Sequence, residues 1–309
     1  MRIFAIDPER LAERIGARPF VLLAILVALA VSALVVLVFV ARWAARHARR
    51  IWPRTAGAWR AFARAPVMGR LEARFPLVWR IVRRLSATEY LLLHLALGLA
   101  LSLAAVSFLV LASEVAEGAT IVRVDMALAR SLHAASDESG VAVILSFTQL
   151  GSGWFLTALG VVVAAGLLRR GRRVLAVGWT VAMLGGGVLN TVLKGLYARP
   201  RPSFADPIAV AQGFSFPSGH AMGTFVAAGM LSYLGFRVAR TATRRVAVVS
   251  AALSWSVAMG FSRMYLGVHF LSDVVAGFAA GTVWLAACIS GVEIATRRPP
   301  APALEVRDA

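Results

Sequence analysis

The sequence predicts an all-α integral membrane protein, and three observations carry the prediction. The 309 residues are 59% hydrophobic yet bear a formal net charge of +18, a combination foreign to ordinary soluble domains. Seven stretches lack any charged side chain: 19–41, 90–113, 139–168, 174–193, 207–236, 246–262 and 274–292. The charges that remain are sorted into the segments between them. A bilayer core leaves backbone groups no water to bond, so apolar stretches of about 17 to 25 residues read as helices spanning it.

Each segment has its own reading. Residues 1–41 form an N-terminal stub and a retained transmembrane helix, too long for a signal-peptide core and preceded by Asp7, Glu9 and Glu13. Residues 42–84 hold twelve arginines, with Trp43, Trp52, Trp59 and Trp79 among them. This is a basic cytoplasmic linker at headgroup depth, or a docking surface for anionic lipid or a protein partner the sequence does not name. Nucleic acid is not expected, because membrane orientation accounts for the charge excess. The positive-inside rule then places the acidic 114–138 segment outside and the arginines at 169–173 and 237–245 inside, while the mixed N-terminal stub votes weakly the other way. "TQLGSG" at 148–153 reads as a surface lead-in to a span formed mainly by the second half of 139–168. Residues 296–309 form a cytoplasmic tail. Cys288, the sole cysteine, sits in the last apolar stretch as a lipid-facing or packing residue.

Three polar groups are thereby expected at one outer face. "KGLYARPRP" carries Lys194, the only lysine of the chain, followed by Arg199 and Arg201. "FPSGH" carries Ser218, Gly219 and His220 at a helix start, and "SRMYLGVHFLSD" carries Ser262, Arg263, His269 and Asp273. Ionisable groups at membrane depth mark function. Lys194, Arg201 and Arg263 make an electropositive pocket suited to a multiply charged oxyanion, with guanidinium forks beside one rotatable ammonium. Ser218 and the Gly219 amide add donors at a positive helix N-terminus. His269 and Asp273, four apart, share a helical face, so the carboxylate can orient the imidazole as a nucleophile. His220 is left for general acid work. The sequence offers Arg199 as rim electrostatics or a second phosphate contact, and Tyr197 and Tyr265 as pocket-mouth or interfacial residues. His133 reads as a solvated loop residue, His47 likewise, and His94 as structural. The glycines of 184–188 read as helix packing.

In order and spacing these three motifs resemble the signature of the type 2 phosphatidic acid phosphatase superfamily: lysine, six residues, Arg-Pro; Pro-Ser-Gly-His; and Ser-Arg, five residues, His, three residues, Asp. The resemblance implies a six-helix core over roughly 85–295, to which the first helix and the basic linker are additions. It implies that His269 attacks phosphorus to form a phosphohistidine, that Asp273 orients it, and that His220 protonates the leaving oxygen. Lys194, Arg201, Ser218, Gly219 and Arg263 would hold the phosphate oxygens. No metal and no cofactor are implied. The expected activity is hydrolysis of a lipid phosphate or pyrophosphate at the outer face of a bacterial inner membrane. Undecaprenyl pyrophosphate ranks first, ahead of phosphatidylglycerophosphate, phosphatidic acid and lipid A. A lipid phosphotransferase using the same site is the alternative, and a non-catalytic lipid transporter is disfavoured.

Overall fold

A computed structural model describes residues 7–36, 39, 103–115, 117 and 120–296. The basic linker at 42–84, with its tryptophans and His47, and His94 in the second apolar stretch, lie outside the described residues. Among the described residues all regular structure is helical: α1 Pro8–Gly16, α2 Pro19–Val36, α3 Leu103–Val115, α4 Thr120–Ala134, α5 Glu138–Thr148, α6 Gly153–Arg169, α7 Arg173–Tyr197, α8 Gly219–Val238, α9 Ala242–Tyr265 and α10 Leu271–Thr296. Five of these (α2, α7, α8, α9 and α10) are long and apolar enough to cross a membrane. The count rises to seven if each of two bent pairs is one span.

The expected span at 139–168 is one of those pairs. Asp137 caps α5 by accepting from the Gly140 amide at 3.1 Å, and Ser152 caps α6 by accepting from Phe155 at 3.4 Å. Between them a 3₁₀ turn at Gln149–Gly151 bends the pair by 44°. "TQLGSG", expected as a surface lead-in, exposes Gln149, Leu150 and Gly153 but turns its other face inward. Thr148 and Gly151 are buried, and Gly151 rests on Met259 and Thr224, where a side chain would not fit. The apolar stretch at 207–236 also divides, because its helix begins only at Gly219 and the residues before it form a loop.

The reading of 114–138 as an acidic outer segment missed a helix. Residues 120–134 form α4, which buries Asp125, Leu128 and Leu132. Against it lies α1, started by Asp7, whose carboxylate accepts from the Glu9 amide at 3.0 Å, and by Pro8 in the first turn. Ala12 and Gly16 are the buried residues of α1, and Ser131 donates to the Glu13 carbonyl at 2.6 Å. The stub thus sits at the end of the bundle where α4 meets the start of α10. Phe20 of α2 continues the contact, its ring 5.7 Å from that of Tyr265.

Helix α8 runs through the middle, packed on α7, α9 and α10. Trp179, Met230, Cys288 and Val292 fill the core away from the site, and Cys288 is a packing residue. Buried indoles need a partner for their N–H. Trp179 donates to Gly160 O and Trp284 to Ala182 O, each at 2.9 Å, tying α7 to α6 and α10 to α7. The expected packing use of the 184–188 glycines holds at Gly185 and Gly186, which face the Trp284 ring.

Candidate active site

All three polar motifs lie at one end of this bundle. Helix α7 ends at Tyr197, and Ala198, in the left-handed region at φ 44°, donates its amide to Lys194 O. That turn sends the chain directly into Arg199 and Arg201. The loop returns by a bond from the Ser215 amide to Arg199 O at 2.8 Å, and "PSGH" then opens α8. The Ser218 amide donates to Asp273 O at 2.9 Å, which fixes the start of α8 against the first turn of α10. Gly277 permits the approach, since a Cβ there would stand 2.9 Å from Ser218 O.

His269 is 3% exposed and held on both ring nitrogens. Nδ1 lies 3.3 Å from Asp273 Oδ2, and Nε2 lies 3.1 Å from Arg201 Nη1. A guanidinium can only donate, so Nε2 accepts and the proton sits on Nδ1, toward the carboxylate. The Nε2 lone pair faces the cationic pocket, as a nucleophile requires. Burial pulls the His269 pKa down to about 4; Asp273 opposes that shift, and Arg201 and Arg263 add to it. The ring is neutral at ordinary pH.

The cations are fixed chiefly by carbonyls of the returning loop. Arg201 donates to Gly213 O at 2.9 Å, Gln212 O at 3.1 Å and Val268 O at 2.8 Å, and burial lowers its pKa. Lys194 Nζ donates to the Phe214 carbonyl, and its stem passes beside Gly219. Arg263 donates to Thr148 Oγ1 at 2.8 Å, while its Nε is buried without a partner. Ser218 caps α8, accepting from Ala221 N at 3.5 Å. His220 follows, half-buried, with Arg263, His269, Arg201 and Lys194 all near enough to act on it electrostatically. Two contributors were missed in the sequence. Thr148 comes from the buried face of that bend, and Asn190 packs on Gly219 and donates to Pro217 O at 3.4 Å. Neither carries a motif signal: a threonine before a glycine bend and an asparagine one turn before the lysine are common residues.

Arg199 is neither a rim charge nor a phosphate contact. It is 7% exposed and faces away from the pocket, bonding Asp273 Oδ1 at 2.7 Å, Ser272 Oγ at 2.7 Å and Asp125 Oδ2 at 2.9 Å, with Phe270 beneath its plane. Asp125 also accepts the Ser272 amide at 3.0 Å. A second carboxylate therefore stands behind the site, contributed by a segment that reads as loop. Tyr265 likewise is buried, bonded to Asp137, and Tyr197 packs on Phe108 and Phe216, so neither forms the pocket mouth. His133 is not solvated: its ring stacks on Phe204 at 4.1 Å and pairs with Asp206 at 3.0 Å.

From His220 an apolar cavity of about 500 Å³ runs between α6, α7 and α8. Its walls include Gly160, Val161, Gly187 and Asn190, and Val161 is exposed on the outer flank of α6.

The chain that carries this site has relatives among known proteins. Residues 175–297 match the family model of the PAP2 superfamily. Phosphatidylglycerophosphatase B of Bacillus subtilis (strain 168) is 34% identical over 140 residues, 45% of this chain and 68% of that protein. The chain belongs to the PAP2 superfamily. Another PAP2 relative, the lipid A 1-phosphatase of Rhizobium johnstonii, is 35% identical over 107 residues, which span 31% of this chain and 38% of the relative. Among solved structures, the transmembrane PAP2 type phosphatidylglycerolphosphate phosphatase from Bacillus subtilis superposes with a TM-score of 0.58 at 29% identity, covering 64% of this chain and 98% of the other. As a PAP2 protein the chain is a multi-pass membrane enzyme of the lipid phosphatase class, a hydrolase, and its all-helical fold agrees with the sequence expectation.

Proposed function

We propose that the chain releases phosphate from a lipid phosphate through a phosphohistidine on His269, at the outer face of a bacterial inner membrane. The observation that carries this reading is the tautomer imposed on His269: Asp273 takes the Nδ1 proton side and the Nε2 lone pair is left facing Arg201. Counting Arg199 against Asp125, the three cations Lys194, Arg201 and Arg263 set against Asp273 leave two positive charges. A phosphate monoester brings about two negative charges, so charge balance supports such a substrate. In the first step the Nε2–P bond forms as the bond from phosphorus to the lipid oxygen breaks, and His220 gives that oxygen its proton. In the second, His220 takes a proton from water, the water oxygen bonds phosphorus, and the Nε2–P bond breaks. Lys194, Arg201, Arg263 and the start of α8 at Ser218 and Gly219 would hold the three oxygens that carry charge in the transition state.

Outward orientation is supported by charge sorting. Arg169, Arg170, Arg172 and Arg173, with Arg237, Arg240, Arg244 and Arg245, cluster at the end opposite the site. The cavity beside His220 supports a lipid, because a chain lying there keeps contact with the bilayer while its headgroup reaches the cations. The named relatives move phosphatidylglycerophosphate ahead of undecaprenyl pyrophosphate in the substrate order. The domain division at 85 and 295 is kept as part of the same proposal. The test is phosphate release by detergent-purified protein with chelator present, over phosphatidylglycerophosphate, undecaprenyl pyrophosphate, phosphatidic acid and lipid A, beside His269→Ala. Release from one of these, lost in the variant, is expected. Activity that survives in His269→Ala would overturn the proposal, and transfer of phosphate to a lipid acceptor without release would replace hydrolase by transferase.

A further inference from the structure

We propose that Asp125 and Arg199 are positioning residues that fix Asp273 and set how basic His269 is, acting from behind the site without touching substrate. Asp273 divides its two oxygens. Oδ2 takes His269 Nδ1 and the Phe270 amide at 2.9 Å, and Oδ1 takes Arg199 at 2.7 Å. Every unit of negative charge that Arg199 satisfies is withheld from an imidazolium at His269. Asp125 in turn draws on the other amino group of Arg199 at 2.9 Å and moderates that effect.

The order of charges from α4 to the pocket is thus minus, plus, minus and then the ring. Asp125 and Asp273 are 1% and 0% exposed, and Arg199 is 7% exposed, so solvent screens none of these interactions well. Apolar side chains would join α4 to α10 with less desolvation cost than three buried charges. What apolar packing could not do is apportion the charge of Asp273. Ser272 completes the connection, since its amide and hydroxyl both donate to Asp125 while its oxygen accepts from Arg199.

The other groups facing His269 are accounted for: Lys194 from α7, Arg201 from the loop after it, His220 from α8 and Arg263 from α9. All of these lie on the pocket side. Arg199 and Asp125 are the charges on the far side of Asp273, so changing them moves the ring's proton affinity without altering the pocket.

The proposal rests on His269 being the nucleophile, and its test separates the two ideas. The full chain in detergent, labelled with ¹⁵N-histidine, is titrated by NMR, with the His269 signal assigned through His269→Gln. Arg199→Gln removes the positive charge, and the midpoint of His269 should rise by about one pH unit or more. Asp125→Asn strengthens the hold of Arg199 on Asp273, and the ring should stay neutral to lower pH than in the wild type. The double variant removes one charge of each sign and should return close to the wild type. Arg199→Gln leaves two buried carboxylates unpaired and is the variant most prone to misfold; in that event Asp125→Asn and the double variant carry the decision. Midpoints that do not move, or that move in the same direction in both single variants, would overturn the proposal. The acid limb of kcat/KM, measured on the same variants, should follow the midpoints. Midpoints that shift while the limb stays fixed would overturn the nucleophile reading and leave the effect of the network on His269 standing.

Discussion

Replacing Thr148 by valine removes a single hydroxyl and tests whether the bend between α5 and α6 aims Arg263. The threonine is 4% exposed and its Oγ1 accepts from Arg263 Nη1 at 2.8 Å and from Ser262 Oγ at 3.2 Å. Arg263 is 8% exposed and its Nε already lacks a partner, so after the change two of its nitrogens would be buried without a protein acceptor. A hydrogen bond to a charged group contributes about 1.5 to 3 kcal/mol. If that energy orients the guanidinium for the phosphate, kcat/KM should fall about 10- to 150-fold. Thr148→Ser keeps the hydroxyl and should lose little. In an Arg263→Ala background, Thr148→Val should cost almost nothing more, since residues acting as one unit are not additive. The assay is initial-rate phosphate release on one lipid in mixed micelles for the wild type and the four variants. Wild-type activity in Thr148→Val, or a serine variant as impaired as the valine one, would refute the reasoning.

Three further outcomes are expected. Gly277→Ala puts a Cβ 2.9 Å from Ser218 O, so the start of α8 must shift; thermal unfolding should show a loss of about 1 to 3 kcal/mol with kcat falling alongside, and an unchanged melting curve would sink the idea. Gly160 and Gly187 line the cavity beside His220 with nothing within 4 Å of a Cβ, so Gly160→Phe or Gly187→Leu should raise KM for long-chain substrates while sparing a short-chain phosphate; equal effects on both would argue against chain binding there. Because burial holds His269 near 4 in the fold, the unfolded chain takes up a proton below about 6.5 and the folded one does not. Stability is therefore full above about 6.5 and is lost as pH falls toward 4, by ~3 kcal/mol. Wild type should lose more melting temperature across that window than His269→Gln, and parallel losses would contradict the assignment.

The sequence made the pocket side of the site legible and left its support hidden. Lys194, Arg201, Arg263, His220, His269 and Asp273 could be read because their spacing encodes a shared purpose, and the apolar stretches said that they would meet at one membrane end. Asp125, Arg199 and Thr148 could not be read in the same way. Asp125 sits in a segment whose other acids suggested a solvated loop, and its burial depends on α4 lying against the first turn of α10, a tertiary event without local signature. Arg199 and Arg201 differ by two positions in a proline-spaced run, and only the left-handed turn at Ala198 decides which faces the pocket. The bend at 148–153 reads as surface because glycine and serine favour turns wherever turns lie, and its buried face at Thr148 and Gly151 leaves no local signal. Here the glycine is small so that Met259 and Thr224 can approach.

The central claim is covalent chemistry at His269, and trapping the phosphoenzyme tests it most directly. Lipid substrate labelled with ³²P at the phosphate would be mixed with enzyme for a single turnover, quenched in base, and the protein digested and mapped. The account predicts label on the peptide containing His269, stable to base and released by acid, and absent in His269→Ala. Phosphate release at the wild-type rate with no labelled protein at any time, or with the label on another residue, would contradict it.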